Sequence, residues 1–353
     1  MKKLILAAAA LALPVSLAAQ EAPEGPPSPG QIADAASPEE WVAIPAEDLL
    51  VMTLATDADG NPREVVIQLM PAPFSQGWVQ NIRTLARAQW YDGISVNRVQ
   101  DNYVVQWGDP NYDNPEADGG AKALPEGLNV MEEAEYLASV SFAQRTISKA
   151  PLGRRNGIRK GSFDNYASSV GFVDGWPAAF DDIQVVPVCR SIEGSEGCID
   201  LTQEEYFDAA ALVHCYGMVG VGRNYSPDTG SGAELYTVIG HAPRHLDRNI
   251  ALVGRIINGM EHLSSLPRGK GVLGFYAEDE ADKRTPILSV RVAADLPETA
   301  QSQYQFEYLS TESDTFAKYA EARANRRDPF FIAPAGGADI CNIPVPIRAV
   351  ESE

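Results

Sequence analysis

Trp90-Tyr91-Asp92-Gly93-Ile94-Ser95-Val96-Asn97-Arg98-Val99, followed three residues later by Tyr103-Val104-Val105-Gln106-Trp107-Gly108-Asp109-Pro110, is the stretch on which the reading of this chain turns. Asp92-Gly93 and Gly108-Asp109-Pro110 are turn chemistry, and between them residues 95–99 and 103–106 form two short runs bounded as strands are. Upstream, residues 78–90 have helical spacing, with Val79, Ile82, Leu85 and Ala86 on one face. Before them, residues 49–56 and 64–70 are strand candidates. The turn sequence Asp57-Ala58-Asp59-Gly60-Asn61-Pro62 joins them and predicts a β-hairpin. Downstream, strand signals recur at residues 215–221, 235–239, 251–256 and 286–293, with a short helix over 259–266. Many short strands with two core helices predict a mainly β fold, a closed barrel capped by helices.

Two parts exceed what a barrel needs. Residues 111–210 are long, irregular and rich in Gly, Pro and Asp, and read as an insertion carrying helices at 132–143 and 202–210. They also hold a local basic cluster, Arg154, Arg155, Arg159 and Lys160. Residues 298–353 read as a C-terminal extension packed on the barrel, with a polar helix over 313–324. At the other end, Lys2 and Lys3 precede an apolar run over 4–17 and the small-residue site Ser16-Leu17-Ala18. That is the pattern of a secretory signal over residues 1–19, too short to span a membrane, so a periplasmic or secreted protein without a transmembrane segment after processing is expected. Residues 20–40, rich in Pro, Gly, Ala and Ser, read as a flexible leader, with order beginning near Trp41 and the main domain covering 41–297.

The chain has 353 residues, 45% of them hydrophobic, enough for a full core, and a formal net charge of −20. That charge argues against nucleic acid as a partner, since phosphate contacts need a positive surface. Four cysteines, Cys189, Cys198, Cys215 and Cys341, in an oxidising compartment predict disulfides and allow three connectivities. The short turn-like segment between Cys189 and Cys198 favours that pair, leaving Cys215 with Cys341 to tie the tail to the body. Gly269-Lys270-Gly271-Val272-Leu273-Gly274 matches a dinucleotide-loop pattern formally, but no strand precedes it and no helix follows, so it reads as a Gly-rich turn. His241 and His245 are four apart, but Gly240 and Pro243 break the helix a metal pair would need, and His214 reads as a strand residue. No metal site is expected.

Three stretches in order resemble the cyclophilin family of peptidyl-prolyl isomerases. The opening stretch is similar to the family's YDGxxFHRV…FMxQGGDP. Gly217-Met218-Val219-Gly220-Val221-Gly222-Arg223 with Gly232-Ala233-Glu234-Leu235-Tyr236 resembles its G-x-[LV]-S-M-A and later GSQFF. His245-Leu246-Asp247 through Val253-Gly254-Arg255-Ile256, then Asn258-Gly259-Met260, resembles xLDGxxxxFGxV…GM. The resemblance implies an eight-stranded antiparallel barrel with a helix at each open end, and no cofactor. It implies Arg98 and Gln106 as the catalytic pair. It places Tyr103, Val104, Glu234, Tyr236, His245 and Leu246 in a substrate groove for proline-containing polypeptides.

This sequence departs from the pattern in several places. Tyr103 and Tyr236 stand where Phe is usual, adding hydroxyls that need partners. Val104 stands for Met, Glu234 for Gln, Asn97 for His, Trp107 for Gly, and Ile250 where the family has a pocket His; Glu234 is expected to put negative charge near the groove. The reading is an isomerase, expected to be a monomer, acting on exported proteins. The alternative is a catalytically weak cyclophilin-like binding or chaperone module. An unrelated β-barrel would require Arg98 to be locked in a buried salt bridge.

Overall fold

The computed structural model describes residues 25–111, 119–138, 148–149, 164–190 and 200–350. In chain order the strands are β1 (Trp41–Ala43), β2 (Leu49–Leu54), β3 (Arg63–Leu69), β4 (Ser95–Val99), β5 (Val104–Gly108), β6 (Ser148–Lys149), β7 (Ser169–Val173), β8 (Trp176–Arg190), β9 (Asp200–Leu212), β10 (Met218–Val221), β11 (Leu235–Val238), β12 (Leu252–Asn258), β13 (Ile287–Val292), β14 (Phe306–Leu309) and β15 (Ile347–Ala349). The α-helices are α1 (Pro29–Asp34), α2 (Gln76–Arg87), α3 (Glu261–Ser264), α4 (Glu298–Gln301) and α5 (Asp314–Ala324).

Eight strands form one antiparallel sheet in the order β13-β2-β3-β12-β10-β11-β5-β4. Its two edges meet: Ser95 of β4 bridges Pro286 beside β13, and the Ile287 amide donates to the Ile94 carbonyl at 2.8 Å. Few backbone groups of either edge are left as an open ladder, which is how a barrel escapes edge pairing. Alternation along β2 separates two environments. Leu50, Met52 and Leu54 join the barrel interior, while Leu49 and Val51 face outward into a second cluster with Phe306. The tail therefore explains why β2 is apolar on both faces: β14 and β15, with β1, make a three-stranded sheet whose Phe306 and Tyr308 cover it.

The helical stripe read from the sequence is α2. It buries Trp78, Val79, Ile82, Leu85 and Ala86 in the barrel cluster, each large side chain contributing about 1.5–3 kcal/mol. The second core helix, α3, is a single turn that buries Leu263. The inserted residues 119–138 run over α2. There Asn81 exchanges two hydrogen bonds with the Asn129 backbone (2.7 and 2.9 Å), and Tyr136 stacks on Trp78 at 5.5 Å.

The structure corrects three expectations. Residues 202–210 are strand, not helix: β9 pairs along β8, from Asp200 opposite Arg190 to Leu212 opposite Ala178, within a four-stranded sheet ordered β6-β7-β8-β9. A Glu-rich local preference for helix loses to a ladder that satisfies the backbone of both long strands. At 132–143 only a 3-10 turn, Glu133–Tyr136, forms, and Ala138 is already extended in a bridge to Ala210; residues 139–143 lie outside the described set. In the supposed leader, Ser28 caps α1 with a capping box to Gln31 and Pro29 at the first helical position, and α1 buries Ala33. Ordered structure thus begins before Trp41.

Cys215 and Cys341 form a disulfide across 126 positions, joining the end of the inserted sheet to the tail. The Cys189–Cys198 expectation lies outside the described residues. The basic cluster 154–160 and the signal-like residues 1–19 do as well. Among the described residues no helix is long and apolar enough to cross a membrane, and no group of His, Cys, Asp and Glu is arranged to hold a metal ion.

Candidate active site

The site begins with register. Arg98 of β4 lies opposite Gln106 of β5, Gln106 opposite Tyr236 of β11, and Tyr236 opposite Gly220 of β10. One row of cross-strand neighbours on the outer face of the barrel thus carries an Arg, a Gln, a Tyr and a Gly. A bulge makes the row possible. Val96 and Val99 both enter the interior cluster although they are three apart, which a regular strand forbids. The ladder shifts between Val96 and Arg98, and Asn97 absorbs the extra residue. The Asn97 side chain fixes the bulge: Nδ2 donates to the Gly108 carbonyl at 3.0 Å, and Oδ1 accepts from Ser95 Oγ at 2.6 Å. The bulge turns Arg98 outward. Gly220 is required for a different reason, because a Cβ there would lie 2.4 Å from the Tyr236 ring and hydroxyl.

Above this row is a cavity of about 460 Å³. Of the residues singled out from the sequence, Arg98, Tyr103, Val104, Gln106, Tyr236 and Leu246 line it. Two do not. His245 is exposed and flanks Tyr103, its ring nearly parallel with a centroid separation of 6.5 Å. Glu234 is buried beneath the row, accepting the Asp109 amide at 2.8 Å, with its carboxylate filling the space that a Cβ on Gly108 would need. The negative charge expected in the groove is therefore spent on the backbone below it. Ile250, read from the sequence at a pocket position, lines the cavity too, and sequence reading missed Gly222, Arg223, Asn224, Tyr225, Leu273 and Phe275, which complete the lining. The last two come from the Gly-rich turn after Lys270, where the Gly269 amide bonds the Val99 carbonyl and brings the turn against β4. Only tertiary contact marks that turn as part of the site.

Arg98 is held from three directions. Nε donates to the Leu273 carbonyl at 2.7 Å, Nη1 to Gln106 Oε1 at 3.1 Å, and Nη2 to Gln100 Oε1. Its guanidinium lies 5.6 Å from the Tyr103 ring centroid and 5.5 Å from that of Phe275. No carboxylate pairs with it among the described residues, which removes the salt-bridge reading. Burial pulls its pKa down, yet an arginine remains cationic. Burial also raises Tyr103 and Tyr236, so both hydroxyls are neutral. Among the described residues no carboxylate lines the cavity, and the charged lining residues are Arg98 and Arg223. Three of the five guanidinium N–H groups of Arg98 are used, leaving one on each Nη. With Gln106 Oε1 accepting from Arg98, its Nε2 is left to donate.

The hydroxyl that Tyr236 adds has a dedicated partner. It meets His214 Nε2 at 2.8 Å, His214 Nδ1 meets Asp247 Oδ1 at 2.9 Å, and Asp247 Oδ2 accepts from Arg244 Nε at 2.6 Å. Arg244 also grips Asp164 of the insertion through both Nη atoms, at 2.9 and 3.0 Å. His214 follows β9 in a loop rather than lying in a strand, and is fully buried. Burial lowers its pKa, with Arg244 and His245 adding to the effect and Asp247 opposing it. Asp247 fixes the Nδ1–H tautomer, so Nε2 accepts the Tyr236 proton.

The architecture agrees with comparisons to known proteins. The sequence model described as cyclophilin type peptidyl-prolyl cis-trans isomerase/CLD matches residues 52–292. The chain therefore belongs to the cyclophilin-type peptidyl-prolyl cis-trans isomerases and is an isomerase of that class. Among solved structures it is similar to cyclophilin AquaCyp293 from Hirschia baltica, with a TM-score of 0.57 at 16% identity, over 88% of this chain and 95% of that one. A cyclophilin type peptidyl-prolyl cis-trans isomerase from Cryptosporidium parvum, solved in the presence of the dipeptide Ala-Pro, matches at 10% identity with a TM-score of 0.33, over 69% of this chain and 98% of that one. No curated protein sequence matches.

Proposed function

We propose that the cavity on the β4-β5-β11-β10 face is where this isomerase turns X-Pro bonds, and that its substrates are proline-containing segments of exported proteins. The observation that carries the site is Arg98, a cation lining the cavity with no carboxylate partner among the described residues and two N–H groups unused. Peptide resonance sets a barrier of about 20 kcal/mol to rotation of an X-Pro bond. Twisting the bond localises the lone pair on the prolyl nitrogen, and an Arg98 N–H donates to it only in that state. A charge-assisted hydrogen bond of about 1.5–3 kcal/mol, made in the twisted state alone, lowers the barrier by that amount. Val104, Tyr236, Leu246 and Phe275 receive the pyrrolidine ring, and Gln106 Nε2 donates to a substrate carbonyl. No covalent step, metal or cofactor is needed.

The exported-protein role is supported by the signal-like residues 1–19 and by the Cys215–Cys341 disulfide, which suits an oxidising compartment. The test is the cis-to-trans rate of a proline peptide with wild type and Arg98→Ala. Wild type accelerates it, and the variant loses roughly 10- to 150-fold in kcat/KM, the equivalent of that hydrogen bond. Equal rates in the two proteins remove Arg98 from the mechanism. Fractionation of the producing cells checks the compartment.

A further inference from the structure

A second cavity, of about 280 Å³, lies where the barrel, the inserted sheet and the tail meet. Met218 and Ile256 come from β10 and β12, Phe172 from β7, and Ile343 and Val345 from the tail, with the Cys215–Cys341 disulfide in its wall. These walls are mostly apolar, yet among the described residues two cations line the space, Arg255 and Arg323, and no acidic residue does. In a chain with a net charge of −20 that is a local reversal of sign.

Arg255 is the unusual one. It is 8% exposed, its Nε donates to Gln68 Oε1 and its Nη1 to the Gly175 carbonyl, both at 2.8 Å, and its guanidinium lies 4.1 Å from the Trp176 ring centroid. Nη2 has no hydrogen-bond partner, and no carboxylate is within ion-pair distance among the described residues. Burial pushes the group down to about 9, a sign of how poorly the charge is compensated. Buried cations are ordinarily paired, because leaving one unpaired costs several kcal/mol. Arg323 of α5 donates Nε to the Asn342 carbonyl at 2.8 Å and likewise has no acidic partner among the described residues.

We propose that this cavity binds a small amphiphilic monocarboxylate, its carboxylate pairing with Arg255 and its hydrocarbon body packing on Met218, Ile256, Ile343 and Val345. A dianion such as phosphate fits poorly, since the walls supply few donors beyond the two arginines. At about 30 Å³ per heavy atom, the share of a water molecule in the liquid, the space holds roughly nine or ten such atoms, the size of an eight-carbon acid.

Calorimetric titration of the full chain with octanoate, and with 1-octanol as its neutral counterpart, tests this. Octanoate binds one to one, and octanol at least about tenfold more weakly. Arg255→Gln weakens octanoate by at least about the same factor. Val345→Trp fills the cavity while leaving Arg255 in place, so it abolishes binding with isomerase activity unchanged; it decides the matter if Arg255→Gln does not fold. No octanoate binding to wild type, equal binding of octanol, or unaltered binding in Val345→Trp overturns the proposal.

Discussion

Replacing Tyr236 by Phe removes one oxygen and leaves the ring over Gly220, so it separates what the hydroxyl does from what the ring does. The hydroxyl donates to His214 Nε2 at 2.8 Å, and His214 is fully buried, so water cannot take its place. Losing the bond and leaving a buried acceptor empty costs about 1–3 kcal/mol. The cavity wall is the ring, so kcat/KM changes by less than roughly threefold, under 1 kcal/mol of transition-state stabilisation. Acid should sharpen the difference. The folded pKa of His214 is depressed, so just below its unfolded value near 6.5 the unfolded chain binds a proton that the folded chain does not. Stability is therefore complete above that pH and falls on acidification towards the folded pKa, by up to about 1.4 kcal/mol per pH unit. In wild type the Tyr236 oxygen can turn to accept from a protonated Nε2. In Tyr236→Phe nothing can, so the folded pKa drops further and the acid loss extends to lower pH. Urea unfolding at about pH 7.5 and about pH 5.5, beside an isomerisation assay, measures all three. A variant as stable as wild type at both pH values, or one whose isomerisation collapses while stability holds, refutes the relay reading.

Gly220→Ala places a methyl 2.4 Å from the Tyr236 ring, displaces the pocket wall, costs about 1–3 kcal/mol and lowers kcat/KM together with the unfolding midpoint. Cys341→Ser opens a link spanning 126 positions and lowers stability by about 2–4 kcal/mol in urea, and reduction of the wild type does the same. Arg223 lines the cavity with its guanidinium on the Asn249 carbonyl. Peptides with an acidic residue beside the proline are therefore turned over about two- to fivefold better than lysine counterparts at low salt, and Arg223→Glu reverses the order.

The local rules reached far where the signal is periodic or punctuated. The hairpin around Asp57–Pro62 and the apolar stripe of α2 follow from turn chemistry and 3.6-residue spacing, and the barrel follows from strands that each need a covered face. The capping box at Ser28 was equally legible, and its low-complexity surroundings hid it. Residues 202–210 misled because the Glu and Ala there favour helix locally, while a long partner strand, β8, is decisive only after folding. Resemblance located Arg98 and Gln106. It could not show that Glu234 turns down to the Asp109 amide, or that Leu273 and Phe275 close the cavity from a turn about 175 positions from Arg98.

The sequence by itself determined a β-barrel, because alternation and turn residues are properties of short segments, and its motifs resembled an isomerase family that carries an arginine at the position of Arg98. The tertiary structure decided how that arginine is presented, what covers the barrel and what the extra residues build. A bulge at Asn97, a buried relay from Tyr236 to Asp164 and a cationic cavity behind the disulfide all depend on residues far apart in the chain. Hydrogen-bond satisfaction and close packing are conditions on three-dimensional neighbours, and no local pattern encodes which neighbours those are.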